Sequence, residues 1–85
     1  MKPVEIYTGN FCGYCTMAKR LLAQKGISFV EIAIGSDMAK RAEMMQRAKG
    51  RRTVPQIFIG GEHVGGFQEL AALERMGKLD PMLAA

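Results

Sequence analysis

Residues 11–15 read FCGYC and contain both cysteines of this 85-residue chain. The preceding residues 4–7 alternate apolar and polar side chains, which indicates a β-strand. After the cysteines, apolar side chains recur at three- and four-residue spacings, which indicates a helix; they are Cys15, Ala18, Leu21 and Leu22. Gly26 ends this pattern. The sequence therefore predicts Cys12 at the N-terminus of a helix that follows a strand, with Cys15 one turn further along.

The cysteine pair has the spacing and the position of a redox-active dithiol. Residues three apart on a helix lie on the same side, so the two sulfurs can meet. The unpaired N–H groups and the partial positive charge of a helix N-terminus favour a thiolate over a thiol. Cys12 has that position and Cys15 does not. We therefore expect Cys12 to attack a disulfide and Cys15 to resolve the mixed disulfide that results.

Two other roles fit a pair of cysteines. A structural zinc site commonly needs four ligands, whereas this chain offers one cysteine pair and a single histidine, His63. Inert core cysteines are the second alternative, and they are commoner for isolated cysteines than for a C-x-x-C at a strand-to-helix junction. Redox chemistry is the interpretation that we adopt.

The middle of the chain predicts a second strand and a second helix. Residues 28–34 read as the strand, and Ser36 is placed to cap the helix, with Asp37 in its first turn. Gly50 ends this helix. Its predicted apolar stripe consists of Met38, Ala42 and Met45.

The last part of the chain predicts a hairpin and a final helix. Residues 56–59 and 62–64 flank Gly60 and Gly61, which form a favourable hairpin turn. The final helix begins near Phe67, and its predicted inward side chains are Leu70, Leu73 and Met76.

The order βαβαββα predicts an α/β fold with residues 1–85 forming one domain, because a chain of this length has no room for a second core. We expect a four-stranded mixed sheet with helices on both faces. The first strand–helix–strand unit should be parallel and the last strand pair antiparallel.

Charge and composition exclude several classes of protein. Half of the basic residues, which number 12 against 8 acidic ones, fall between residues 40 and 52. Such a cluster attracts anions, but no base-stacking aromatics or docking motif accompany it, so no nucleic-acid partner is predicted. We interpret Lys40, Arg41 and Arg47 as a solvated helix face. No signal peptide or membrane span is evident and the cysteines are few, which predicts a soluble cytoplasmic protein without a membrane partner.

Two further motifs accompany the cysteine pair. Thr53-Val54-Pro55 precedes the third predicted strand, and taken alone a proline at that position is unremarkable. Gly65-Gly66 leads into the last helix, an arrangement in which backbone N–H groups can approach an anion. Taken alone, this glycine pair is better explained as a strand end followed by a flexible turn.

The chain resembles the glutaredoxin family over essentially its whole length. The resemblance rests on three motifs in this order: C-G-Y-C after a first strand, T-V-P before a third strand and G-G-F at the start of the last helix. The resemblance implies a thioredoxin-like fold, a cis peptide between Val54 and Pro55, and glutathione as co-substrate. Glutathione would lie extended along Thr53 and Val54, with its sulfur at Cys12.

The resemblance also implies roles for individual residues. Val54 would offer its backbone N–H and C=O to the cysteinyl part of glutathione. Backbone N–H groups of Gly66, Phe67 and Gln68 would bind the γ-glutamyl carboxylate. Tyr14 would form an aromatic wall or be a half-exposed surface residue, and Arg51 or Arg52 would meet the glycine carboxylate.

The chain departs from the family pattern at three positions. Gly9 stands where many glutaredoxins carry a lysine, and Gln68 where an aspartate is frequent. Gly13 replaces the proline common between the cysteines. Some members with that glycine bind a [2Fe–2S] cluster between two protomers, with one cysteine from each and two glutathiones as ligands. Cys12 would be the ligand in this alternative.

The resemblance thus predicts a glutathione-dependent thiol–disulfide oxidoreductase with Cys12 and Cys15 as its catalytic residues. Its partners would be glutathione and proteins that are glutathionylated or contain disulfides. We expect a monomer, with a cluster-bridged dimer as the alternative state.

Overall fold

The computed structural model describes residues 1–84, and these form four strands and four helices. In chain order the elements are β1 (Val4–Thr8), α1 (Gly13–Gln24), β2 (Val30–Ala33), α2 (Met38–Arg47), β3 (Gln56–Ile59), β4 (Glu62–Gly65), α3 (Phe67–Arg75) and α4 (Leu79–Leu83). Within residues 1–84 no helix is long and apolar enough to cross a membrane.

The strands form a single mixed sheet in the order β2-β1-β3-β4. β1 runs parallel to β2, with Glu5 opposite Val30, and antiparallel to β3. β3 and β4 form the antiparallel hairpin that turns at Gly60 and Gly61, both with positive φ. The predicted α/β fold with a four-stranded mixed sheet is confirmed.

Alternating side chains of the central strands supply the two halves of the core. Ile57 and Ile59 point to one face of β3, and Phe58 points to the other. On the first face, Leu22 of α1 and Leu70 of α3 pack in the larger cluster, together with residues of α4. The smaller cluster on the second face consists of Tyr7, Ile34, Met44, Ala48 and Phe58. The sheet is therefore covered on both sides, with α2 alone on the second face.

Helix α2 packs differently from its predicted stripe. Its N-cap is Asp37, whose carboxylate accepts the Lys40 N–H at 3.1 Å, and not Ser36. Met38 is 82% exposed, and every residue from 38 to 43 is exposed. Of the predicted stripe, Met45 is partly buried against the core, whereas the prediction is wrong for Met38 and Ala42. Only the C-terminal half of α2 reaches the sheet, where Met44 is buried.

The end of the chain contains a helix that the sequence pattern did not predict. Met76 caps α3 and is 57% exposed, so the prediction that it points inward is wrong. After Gly77 the chain forms α4, which buries Leu79 and Leu83 four residues apart. Pro81 is the third residue of α4, a position in the first turn where its missing N–H costs no helical hydrogen bond.

Arg47 connects α2 to the second face of the sheet. Its guanidinium donates two hydrogen bonds to the Glu5 carboxylate, at 2.8 and 3.3 Å, and one to the Tyr7 hydroxyl at 2.8 Å. Its Cζ atom lies 4.2 Å from the centroid of the Phe58 ring, and the Tyr7 hydroxyl in turn donates to Glu43. The interpretation of Arg47 as a solvated residue is therefore wrong. Lys40 and Arg41, interpreted in the same way, are exposed.

Candidate active site

The two cysteines form a disulfide at the start of α1, with 5.2 Å between their Cα atoms. Cys15 is only 2% exposed, whereas Cys12 is partly exposed. A partner from solution can therefore approach the Cys12 sulfur and not the Cys15 sulfur. Accessibility thus distinguishes an attacking cysteine from a resolving one.

The N-terminus of α1 is built around Cys12. Cys12 is the N-cap residue, and its Sγ accepts the Cys15 N–H at 3.0 Å. Its carbonyl oxygen accepts the Thr16 N–H at 3.2 Å, which begins the helical ladder. The Cys15 N–H directed at this sulfur, with the helix dipole behind it, stabilises negative charge on the sulfur. The same geometry that starts the helix therefore stabilises a Cys12 thiolate.

The loop before β3 lies against Cys12. Val54 and Pro55 are joined by a cis peptide bond, which the resemblance implied. The carbonyl oxygen of Val54 lies 3.6 Å from the Cys12 Sγ. A Cβ atom at Gly9 would lie 3.0 Å from the Val54 Cγ2, so a lysine at Gly9 would press on Val54. Glycine at this position allows Val54 to pack close to the β1–α1 loop.

A cleft of about 270 Å³ opens beside this loop. Its lining residues are Tyr14, Arg51, Thr53, Val54, Pro55, Gly66, Phe67, Gln68 and Glu69. All of them except Glu69 were singled out from the sequence, so three separate motifs meet at one site. Cys12 adjoins the cleft through Val54.

The two arginines before Thr53 point to different places. Arg51 lines the cleft, where its Nη1 donates to the Glu69 carboxylate at 3.1 Å. Arg52 is not among the lining residues, and its carbonyl oxygen accepts a hydrogen bond from Arg41 at 3.0 Å. The sequence left open whether Arg51 or Arg52 lies near the site, and the structure places Arg51 in the cleft.

Aromatic side chains form one wall of the cleft. The rings of Tyr14 and Phe67 stack with centroids 6.2 Å apart and an interplanar angle of 25°. Tyr14 is 57% exposed and also lines the cleft. It is therefore a half-exposed surface residue and part of the aromatic wall at the same time.

The N-terminus of α3, which carries Phe67, forms a second part of the cleft. Gly66 is its N-cap, and the Gly66 N–H donates to the Glu69 carboxylate at 2.6 Å. This hydrogen bond, and then the Arg51 guanidinium, hold the pKa of Glu69 below its ordinary value, although burial raises it. The φ angle of Gly65 is +123°, a conformation that favours glycine there. The N–H groups of Phe67 and Gln68 begin the helix and have no acceptor within it.

Three residues in or near the cleft were given no role there from the sequence. Gln56 is completely buried, and its Nε2 donates to the carbonyl oxygen of Thr53 at 3.0 Å. Because a carbonyl can only accept, the Gln56 Oε1 must face His63, whose Nε2 lies 2.7 Å away and carries the proton. Gln56 and His63 thus hold the loop that contains Thr53. Glu69 was missed as well. A signal for it was present, because Glu69 lies three residues after the N-cap Gly66, which is the spacing of a capping box.

We expect His63 to make the protein less stable in acid. Burial, followed by the charges of Arg51 and Lys49, lowers the pKa of His63 from its ordinary value, and Glu69 opposes this. The unfolded chain therefore binds the proton more readily, so stability falls as pH decreases through about 6.5 and is recovered above it. Urea unfolding at pH 5 and 7.5 should show a smaller loss on acidification for His63→Gln than for the wild type. Equal losses would contradict this role.

The fold and the cysteine pair together define a class of protein. A dithiol that forms a disulfide at a strand-to-helix junction, with one accessible and one buried sulfur, exchanges disulfides with partners by thiolate attack. The protein is a thiol–disulfide oxidoreductase with a thioredoxin-like fold.

Comparison with known proteins identifies the family within this class. The family model described as Glutaredoxin matches residues 4–64. Glutaredoxin 3 of Escherichia coli (strain K12) is 54% identical over 83 residues, which cover 98% of this chain and 99% of that protein. The chain belongs to the glutaredoxin family.

Solved structures agree with this assignment. The solution structure of glutaredoxin from Brucella melitensis superposes with a TM-score of 0.85 at 54% identity, covering 98% of this chain and 89% of that one. The crystal structure of a buckwheat glutaredoxin–glutathione complex superposes with a TM-score of 0.86 at 37% identity, covering 96% of this chain and 76% of that one.

Proposed function

We propose that this glutaredoxin is glutathione-dependent and reduces protein disulfides and glutathione mixed disulfides. The observation that carries the proposal is the cleft beside Cys12, which has a cationic side chain at Arg51 and first-turn N–H groups of α3. Glutathione has a carboxylate at each end and a thiol between them. The cleft thus offers two kinds of group that bind carboxylates, with a nucleophilic sulfur nearby.

Glutathione would bind along the cleft in one direction. Its cysteinyl part lies against the backbone of Thr53 and Val54, which positions its sulfur at the Cys12 Sγ. The glycine carboxylate meets Arg51, because guanidinium groups pair well with carboxylates. The γ-glutamyl carboxylate accepts the N–H groups of Phe67 and Gln68, since the Gly66 N–H is already bonded to Glu69.

The reaction proceeds by two exchanges. The Cys12 thiolate attacks the glutathione sulfur of a mixed disulfide, so a Cys12–glutathione bond forms, and the substrate leaves as a thiolate that takes up a proton. A second glutathione thiolate attacks this adduct, releases oxidised glutathione and restores the Cys12 thiolate. The incoming glutathione sulfur is thus oxidised as the substrate sulfur is reduced. With a protein disulfide, Cys15 attacks the mixed disulfide at Cys12, releases the protein as a dithiol and forms the disulfide seen in the structure. Two glutathiones then reduce this disulfide and leave as oxidised glutathione.

Arg51→Ala should raise the KM for a glutathione mixed disulfide by about fivefold, because it removes one charge-assisted hydrogen bond at an exposed site. Arg52→Ala is the matched control, since it removes the same charge one residue away but outside the cleft. It should leave the KM close to that of the wild type. Steady-state assays with the mixed disulfide of glutathione and cysteamine measure both values. Equal increases in the two variants would indicate general electrostatic attraction and argue against the proposed cleft.

The carriage of a [2Fe–2S] cluster remains an alternative prediction. It would use the Cys12 thiolates of two chains and two glutathione thiolates as ligands. A Cβ atom at Gly13 would meet no other atom within 4 Å, so packing within one chain does not require glycine there. We place this role second to catalysis. We also propose that the protein is a cytoplasmic monomer.

A further inference from the structure

Phe11, the residue immediately before Cys12, combines an unusual backbone conformation with complete exposure. Its φ angle is +52°, and within residues 1–84 only one other non-glycine residue, Lys49, has a positive φ. The left-handed region is unfavourable for bulky L-residues. The Phe11 side chain is fully exposed, so it buries no apolar surface that would offset this. Folding therefore does not explain a phenylalanine at this position.

Phe11 also lies outside the cleft proposed for glutathione. The residues that line the cleft include Tyr14 and Phe67 but not Phe11. At about 270 Å³, the cleft has room for a small molecule and not for a folded protein. A protein that carries a glutathione adduct must therefore remain outside it, next to the accessible sulfur.

We propose that Phe11 is a specificity-determining contact for protein substrates, which distinguishes them from small glutathione disulfides; the inference rests on the proposed glutathione cleft. When the Cys12 thiolate attacks the glutathione sulfur, the sulfur–sulfur bond to the substrate protein breaks and the protein leaves as a thiolate. Disulfide-bonded sulfurs are only about 2 Å apart, so the protein surface around its cysteine must approach Cys12.

The partner that fits is a folded protein with an apolar side chain beside its glutathionylated cysteine. Such a side chain would cover the Phe11 ring and remove apolar surface from water. Met17, one turn beyond Tyr14 on α1, is another exposed apolar side chain near this end of the helix. A strained, exposed aromatic residue next to a reactive sulfur is well explained by such a contact.

Phe11→Asn tests the proposal, because asparagine tolerates the left-handed region and removes the ring. Two substrates share the glutathionyl group: glutathionylated serum albumin and the mixed disulfide of glutathione and cysteamine. We expect kcat/KM to fall about fivefold for the albumin substrate and to remain within about twofold for the small one. Met76→Asn is the control, since it removes an exposed apolar side chain at the end of α3 that is remote from the cleft. It should change neither value.

Equal losses of kcat/KM on both substrates, or no loss on albumin, would overturn the role of Phe11. A third arm separates this result from the proposed function. In that arm the reduced protein reacts once with insulin disulfides without glutathione, and Phe11→Asn should slow it by a similar factor. If the wild type fails on the cysteamine disulfide but reduces insulin, the glutathione proposal fails and the insulin rates still decide for or against Phe11. Urea unfolding should show Phe11→Asn to be at least as stable as the wild type.

Discussion

Cys12→Ser is expected to abolish disulfide reduction, whereas Cys15→Ser should retain substantial activity towards glutathione mixed disulfides. Only the Cys12 sulfur is both accessible and hydrogen-bonded to an N–H of the helix N-terminus. A serine hydroxyl is a far weaker nucleophile at neutral pH than a thiolate. Cys15 is buried, and its sulfur is needed only to close the internal disulfide. Coupled assays of glutathione oxidation with the cysteamine mixed disulfide measure this difference.

A second substrate makes the comparison between the cysteines more specific. With insulin, whose disulfides lead to a mixed disulfide between proteins, Cys15→Ser should accumulate the covalent complex because the resolving sulfur is absent. Cys12→Ser should form no such complex, which gel electrophoresis under non-reducing conditions can show. Turnover of the cysteamine mixed disulfide by Cys12→Ser would show that Cys12 is not the attacking residue. Loss of all such turnover in Cys15→Ser would show that Cys15 does more than resolve a mixed disulfide.

Arg47→Ala should lower the free energy of unfolding by about 2–3 kcal/mol, since it removes hydrogen bonds to Glu5 and Tyr7 and the packing of a guanidinium on Phe58. For a chain of this size the melting temperature should fall by roughly 10–20 °C. Tyr7 and Phe58 are buried, so the truncation also leaves a gap beneath α2. Thermal and urea unfolding followed by circular dichroism measure the change.

Lys40→Ala is the matched control on the same helix, because Lys40 is exposed. It should change stability by less than about 0.5 kcal/mol. If Arg47→Ala were as stable as Lys40→Ala, the hydrogen bonds and packing of Arg47 would contribute nothing to stability, and α2 would be held by its other contacts, chiefly Met44 and Ala48. Arg47 lies on the face of the sheet opposite α1 and α3. Activity per folded molecule should therefore be retained.

The sequence by itself determined the features that depend on neighbouring residues. The apolar spacing before and after Cys12 predicted the β1–α1 junction, because strand and helix periods are local properties. The glycine pair at Gly60 and Gly61 predicted the hairpin, because its turn requires positive φ angles. The order of the three motifs, C-x-x-C, T-V-P and G-G-F, then indicated the family and with it the residues that meet in the cleft.

Only the tertiary structure decided which of several equivalent residues faces the site or the core. Arg51 and Arg52 are chemically identical neighbours, and the position of Glu69 on a distant helix directs one of them into the cleft. The buried side of α2 depends on how far that helix overlaps the sheet. Its own sequence does not encode this distance. Gln56 and Arg47 likewise acquire their roles from partners such as His63 and Glu5 that lie on other elements. Hydrogen bonds and packing between residues far apart in the sequence form only when the chain has folded, so a local sequence pattern cannot predict them.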